Sequence, residues 1–462
     1  MNKKTVKILV PAGALGIPFD KDALINGIRQ KPDLIAIDGG STDSGPYYLG
    51  SGKSKYSYSA TKRDWSILME MRAKAKVPLI IGTAGTCGTK SSVEWMLKIT
   101  KEIAKENKEK LKIVALKTDL SNKFVLEKYK SGKIKPLEGA PKINEDIINN
   151  CSNIVALAGV EQIQKAINTK ADIIISGRST DTAIIASLPI YHGLNIASAW
   201  HGAKIAECGA LATNNPNSGV VLLEFDHNGF TITPMCKNTK ATPQTVFAHM
   251  LYENADPYIL LEPGGYLDVS NAKYKKHKKN SVRVEGSKWF NKNPYTLKLE
   301  GARLVGFQTI SIVLIRDPHY VKNIDKWTNK LKKSFFKKTK NSILFDVRLE
   351  LRVIGKDATL GNLEPLIINN NEVAVMAIFT ANNQEKANDS AKLLNPDLLH
   401  LALTKNEPMP TFAFPFSPPE IDKGPLFEFC LHHVIEVDNP INFFQLEFHN
   451  TCLLYTSPSP RD

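Results

Sequence analysis

The chain has 462 residues, of which 42% are hydrophobic and 23% charged, with a formal net charge of +14 from 50 Lys and 10 Arg against 46 acidic groups. This composition excludes a disordered, collagen-like or disulfide-stapled protein, and the length predicts two or three domains. No apolar run is long enough for a membrane span, and the start at Met1–Val10 is too short in apolar residues for a signal peptide, so a cytoplasmic location and no membrane partner are expected.

The first half repeats one pattern, a short apolar run that ends in Gly, Ser, Thr or Asp and is followed by a helix-like stretch. The runs are Val6–Val10, Leu34–Ile37, Leu79–Ile81, Ile113–Leu116, Ile154–Leu157 and Ile173–Ile175. Each has the length of a buried strand rather than a helix. Helix candidates such as Asp64–Lys76 and Ser91–Asn107 lie between them. Alternation of this kind predicts an α/β domain over residues 1–215, a mostly parallel sheet covered by helices in Rossmann-like fashion.

The second half reads as an α+β domain over residues 216–451. Strands are expected at Val220–Phe225, Tyr258–Leu261, Ser281–Glu285, Tyr295–Glu300, Thr309–Arg316, Ile343–Ile354 and Glu372–Phe379. Helices are expected near Val321–Lys333 and Gln384–Leu394, a turn at Asn369–Asn371, and an extended arm over Pro408–Pro419. The block 271–342 holds 19 basic and 4 acidic groups. It lacks a zinc finger, an RNP-like stretch or a helix-turn-helix, so no nucleic-acid partner is expected and the lysines read as a solvated face. The last eleven residues, 452–462, read as a translated sequencing adapter, which would cut the natural gene at about Thr451. The other five cysteines are scattered, without a Cys-x-x-Cys pair, and are expected as reduced thiols.

In an open parallel sheet, ligands bind beyond the carboxyl ends of the strands. Loops of small residues sit at those positions: Pro11–Gly16, Asp38–Pro46, Gly82–Thr89, Ala158-Gly159 and Gly177–Asp181. Glycine admits a close ligand, and a helix start adds positive partial charge. Together these suit a phosphate or carboxylate, which makes Gly39, Gly40, Ser41, Thr42, Gly82, Gly85, Thr86, Gly177, Arg178, Ser179 and Thr180 candidate binding residues. The competing reading is plain strand-to-helix turns with Ser and Thr as caps. There is no P-loop, and Gly82-x-x-Gly85-x-x-Gly88 is not the dinucleotide fingerprint.

Asp38 and Asp43 bracket a Gly-Gly-Ser-Thr turn. They suit a general base, a metal ligand or a hydroxyl anchor, and equally an Asx turn. Arg178 suits a bidentate grip on an anion, or an ion pair with Asp181 or Asp43. In Trp200–Gly209 a helix would place His201, Lys204 and Cys208 on one face, with Glu207 in reach of Lys204. That face suits acid–base or nucleophilic work, or else a plain ion pair with Gly209 as helix cap. Glu262–Gly265 and Arg316–Pro318 end apparent strands and could project into the first domain's cleft, although Pro and Gly favour plain turns.

Several of these words together resemble the acyclic terpene utilisation (AtuA) family. They are Asp38–Gly50, Gly177–Asp181, Ala199–His201 through Glu207–Gly209, Tyr252–Pro257, Glu262–Gly265 and Leu299–Ala302, in order along the chain. The resemblance implies a bacterial cytosolic protein of branched-acyl or small-acid catabolism and leaves the reaction open. Some members carry a Gly-Asp-Arg word in the first strand loop, where this chain has Gly13–Pro18.

The combined expectation is an enzyme acting on a small carboxylate or acyl thioester, of lyase, isomerase or hydratase type. Asp38, Asp43 and Asp181 would handle protons, with His201 and Lys204 as further acid–base candidates. A divalent cation or an acyl-CoA is left open, as is a homo-oligomer or a small partner subunit. The rival reading is a non-catalytic ligand-binding subunit that works with a partner encoded nearby.

Overall fold

The computed structural model describes residues 3–366 and 370–451; the suspected adapter at 452–462 and Asn369 lie outside the described residues. The chain forms two compact units, Met1–Arg303 with Phe429–Asp462, and Leu304–Glu428. The boundary expected after residue 215 falls inside the first unit.

Four strands open the first unit: β1 (Val6–Val10), β2 (Leu34–Asp38), β3 (Leu79–Gly82) and β4 (Lys112–Lys117). β5 (Ile134–Pro136), β6 (Asn153–Ala156) and β7 (Ile173–Ser176) follow. The parallel core has the order β1-β2-β3-β7-β4. Successive residues of a strand point to opposite faces, and here both faces are buried. Ile8, Leu34, Ala36, Ile80, Val114 and Ile174 meet one core, with the helices Val160–Ile167, Ala183–Tyr191 and Ile196–Ala206. Leu9, Ile35, Ile81, Ile113 and Ile175 meet the other, with the helices Lys21–Arg29, Tyr58–Ala75 and Lys90–Glu106. Ser57 and Thr89 cap the last two of these by accepting from Ala60 and Ser92 amides.

The run at Ile154–Leu157 departs from the expected parallel set. β6 pairs antiparallel with a distant strand, Leu299 opposite Ala156. Four apolar residues suit any buried strand, and nothing local selects the partner.

The sheet continues beyond the parallel core on both sides. β8 (Val221–Phe225) runs antiparallel along the whole of β1, and β9 (Gly229–Pro234) pairs with β8. This pairing carries the sheet past residue 215. β10 (Ile259–Glu262), β11 (Gly265–Asp268), β12 (Lys273–Lys276), β13 (Val282–Glu285) and β14 (Lys288–Asn291) follow. β12 and β13 extend the large sheet, while β10, β11 and β14 make a separate small one.

β15 (Thr296–Ile315) merges two expected strands into one of 20 residues; Gly306, at φ +152°, lies inside it rather than in a turn. In the second unit its residues 307–315 pair with β17 (Val373–Ala381), which pairs with β16 (Arg348–Ile354). The helices Ile324–Thr339 and Gln384–His400 cover one face, burying Trp327, Leu331 and Phe335 against Val313, Val375 and Phe379. Residues 343–347 of the expected strand are turns instead, and Arg316 is exposed, 3.7 Å from Glu372. β18 (Glu420–Glu436) returns to the first unit, where its residues 433–435 pair with β5. β19 (Gln445–Asn450) completes the large sheet beside β4. No described helix is long and apolar enough to cross a membrane.

Candidate functional site

The small-residue loops do converge at the carboxyl edge of the parallel strands, and they are tied to one another. The Leu15 amide donates to Asp38 O at 2.7 Å, Gly39 to Gly82 O at 2.7 Å, Thr83 to Gly177 O at 3.0 Å and Thr86 to Gly39 O at 3.0 Å. Several glycines serve this interlocking. A Cβ on Gly39 would lie 2.6 Å from Thr83 O, and one on Gly88 would lie 2.0 Å from the Arg178 backbone nitrogen. Gly82, Gly85, Thr86 and Gly177 are buried within the same stack.

Asp38 ends β2 and is buried. Its Oδ2 accepts from the Gly40 amide at 2.8 Å, while its Oδ1 has no partner among the described residues. The Ser179 hydroxyl is buried in the same unpartnered way, and both atoms border the space a Gly82 Cβ would take. Burial and nearby Asp181 push the Asp38 carboxyl well above the usual range, against the pull of Arg178. Asp43 is exposed and closes a local turn: Ser41 Oγ donates to its Oδ2 at 2.8 Å and accepts from its amide at 3.2 Å. Thr42 is buried in the same turn.

Arg178 is held by a residue that sequence reading did not select. Its Nε donates to Glu300 Oε2 at 2.9 Å and its second terminal nitrogen to Glu300 Oε1 at 3.4 Å. The other terminal nitrogen reaches Thr83 Oγ1 at 3.2 Å and Asp181 at 3.7 Å. The guanidinium fork is therefore occupied by the protein. Burial works against the Glu300 charge, but Arg178 and Lys298 (2.9 Å) outweigh it and hold the carboxyl at about 2.

A second group continues from Asp181. Lys204 is buried in an ion pair with Glu207, the i,i+3 pair expected from the sequence. Thr182 Oγ1 donates to Glu262 Oε1 at 2.7 Å and lies 3.1 Å from Thr180 Oγ1. Burial lifts Glu207 to about 8 against the opposing charge of Lys204, and lifts Glu262 to about 7 against the Thr182 bond and Lys204. Asp181 is raised by burial, opposed by Arg178 and Lys204. Asp181 thus feels both cations and links the two groups. Glu262 carried one signal in the sequence: it ends an otherwise apolar strand word.

His201 is not brought to this cluster. One ring nitrogen lies 2.7 Å from Ser287 Oγ and the other 3.1 Å from the Tyr274 hydroxyl, with Phe230 against the ring. Burial depresses its titration to about 3. The helix presents His201 and Lys204 at the expected spacing but ends at Ala206, so Cys208 falls in the turn beyond it, and neighbouring strands divide the surroundings of the other two. Burial pushes both the Cys208 and Cys87 thiols upward, Cys87 to about 12. Among the described residues no group of three or more His, Cys, Asp and Glu is arranged to hold a metal ion.

Five carboxyls (Asp38, Asp181, Glu207, Glu262, Glu300) therefore face three cations (Arg178, Lys204, Lys298). A surplus of carboxylates, of which Asp38, Glu207 and Glu300 are buried and Asp181 and Glu262 half-buried, resolves by retaining protons, so part of this cluster is acid and part is ionised near neutral pH.

The model of a family described as acyclic terpene utilisation family protein AtuA matches residues 51–407. That span contains Arg178, Asp181, Lys204, Glu207, Glu262 and Glu300, and begins after Asp38. No curated protein and no solved structure matches the chain.

Proposed function

The chain belongs to the AtuA family, and from that premise we propose that it is an enzyme of acid or terpenoid degradation that moves a proton on a small carboxylate or acyl thioester. The reaction is of lyase, isomerase or hydratase type. One observation carries this reading: a carboxyl held ionised (Glu300) and a carboxyl held protonated toward neutral pH (Glu262) share one cluster with Asp181 and the Lys204–Glu207 ion pair. Environments that push titrations apart in this way suit paired acid and base roles.

Asp181 is the proton-handling group of this reading, because it keeps part of its exposure and stands between Arg178 and Lys204. Arg178 positions Asp181 rather than gripping substrate, since Glu300 already fills its fork. His201 drops out of the machinery, with both ring nitrogens bonded elsewhere.

The test starts from a thermal-shift panel of acyl-CoAs, short carboxylates and divalent ions on the full chain, since a binder of the native state raises the midpoint by mass action. The stabilising compound is then incubated in D2O and its hydrogen exchange followed by NMR. Exchange is expected with the intact protein, falling by about 10²–10⁴ in Asp181→Asn. A compound that stabilises the chain yet neither exchanges nor turns over would favour the non-catalytic binding subunit.

A further inference from the structure

A cavity of about 310 Å³ lies in the first unit. Pro263 and Gly264 line it and directly follow Glu262 at the end of β10, so cavity and cluster share one strand end. Its apolar wall is Val160, Ile190, Ile196, Trp200, Pro263 and Trp289. The two indoles stack, with centroids 5.5 Å apart and planes within 14°. Trp200 is fully buried beneath, and Trp289 keeps part of its surface.

The polar groups limit what can enter. Tyr295 donates its hydroxyl to Glu161 Oε2 at 2.5 Å, so that proton is used, and burial lifts the Glu161 carboxyl. A lining carboxyl disfavours an anion inside. The one cation in the lining, Lys292, is exposed. An anionic group is therefore better placed at the rim and an apolar one within. The volume stands at the small end of ligand pockets, which restricts the occupant to a short chain or a single ring.

A larger cavity, about 590 Å³, lies at the opposite edge of the sheet, where Asp33, Pro78 and Asp172 lead into β2, β3 and β7. Its Asp33, Glu109 and Asp172 are paired with Lys3 and Arg72. Those carboxylates are balanced by cations, whereas the smaller cavity lies beside Glu262 and the surplus of carboxyls.

We propose that the smaller cavity seats the apolar body of the substrate, a short aliphatic or aromatic acyl group lying on Trp289. The neighbouring acid cluster acts on its carbonyl end. This inference rests on the acid–base reading above and names the substrate portion that the same site selects. Free acids and acyl thioesters share that portion.

The experiment titrates the full chain with straight-chain carboxylates of graded length, with phenylacetate, and with the matching CoA thioesters, reading tryptophan fluorescence and the thermal midpoint. Affinity should rise with chain length and then break off. Ile196→Trp fills the lip of the cavity at a residue that is 42% exposed, so folding should be unaffected. It should move the break to shorter chains and weaken the longest ligand by at least about tenfold. Trp289→Leu, which removes the flat wall, should weaken phenylacetyl binding more than aliphatic binding. Binding by thioesters alone assigns the carrier a share of the contact, and equal binding by acids removes it. Affinity insensitive to both variants, or no binding anywhere in the series, overturns the proposal. If the chain-length break holds while Asp181→Asn leaves exchange unchanged, the acid–base reading falls and the pocket stands.

Discussion

Arg72 and Arg178 are both buried arginines at opposite ends of the same parallel sheet, and each sits between two carboxylates. Arg72 meets Glu109 and Asp172, whose side chains keep 22% and 40% of their exposure. Arg178 meets Glu300, which keeps 5%, and beyond it a surplus of carboxyls forced toward their protonated forms. Water can reach either partner of Arg72, while Glu300 is closed off from it. A buried arginine pair is therefore no mark of function by itself. The unbalanced carboxyls around Arg178 are what set that end of the sheet apart.

The sharpest way to break this comparison is to remove Glu300. Glu300→Ala leaves a buried guanidinium without its main partner and should cost about 3–5 kcal/mol in urea unfolding. A loss as small as that of the Arg72 partners would erase the distinction.

The loop stack around Arg178 gives the next largest effect. Gly88→Ala forces a Cβ to within 2.0 Å of the Arg178 nitrogen at φ +63°, and strain plus overpacking should cost roughly 3 kcal/mol. Gly45→Ala, at φ +104° but in open space, should cost about 1 kcal/mol by the same measurement. Equal losses would mean that the glycines do not serve loop packing.

Titration separates the two ends more gently. Glu207 and Glu262 hold protons in the folded state up to about 8 and 7, against 4.5 for an ordinary glutamate. The folded state then binds more protons than the unfolded state through that window. Their contribution is complete below pH 4.5 and is lost as pH rises through 7 and 8. Glu300 runs the other way: its contribution is present above pH 4.5 and lost as pH falls toward 2. Thermal midpoints should accordingly fall as pH rises from about 4.5 to about 8 and level off above it, with a shallower slope in Glu207→Gln. An identical slope in that variant removes Glu207 as the cause.

The smallest effect belongs to the Arg72 end. Glu109→Ala should cost about 0–1 kcal/mol, because a partly exposed partner is replaced by Asp172 and water.

Much of the candidate cluster was legible before the fold. Asp38, Arg178 and Asp181 stood at the ends of apolar runs, where topology gathers residues, and the Lys204–Glu207 pair followed from helical spacing. Glu300 and Glu262 were hidden because their relevance lies in what packs against them: Glu300 meets an arginine 122 residues away in the chain. His201 misled for the same reason. His201 and Lys204 do lie on the helix as expected, while Tyr274 and Ser287, which occupy the ring nitrogens, arrive from a strand and a loop much later in the sequence.

By itself the sequence determined the five parallel strands, the helices that cover them and the edge where the loops collect, because alternation of apolar residues and helix caps act over a few residues. The tertiary structure alone decided which strand β6 joins, that β8, β9, β12 and β13 extend the first sheet, and which carboxyls keep their protons. Those outcomes depend on burial and on partners brought together by chain closure, and desolvation of a charge has no signature in the local sequence.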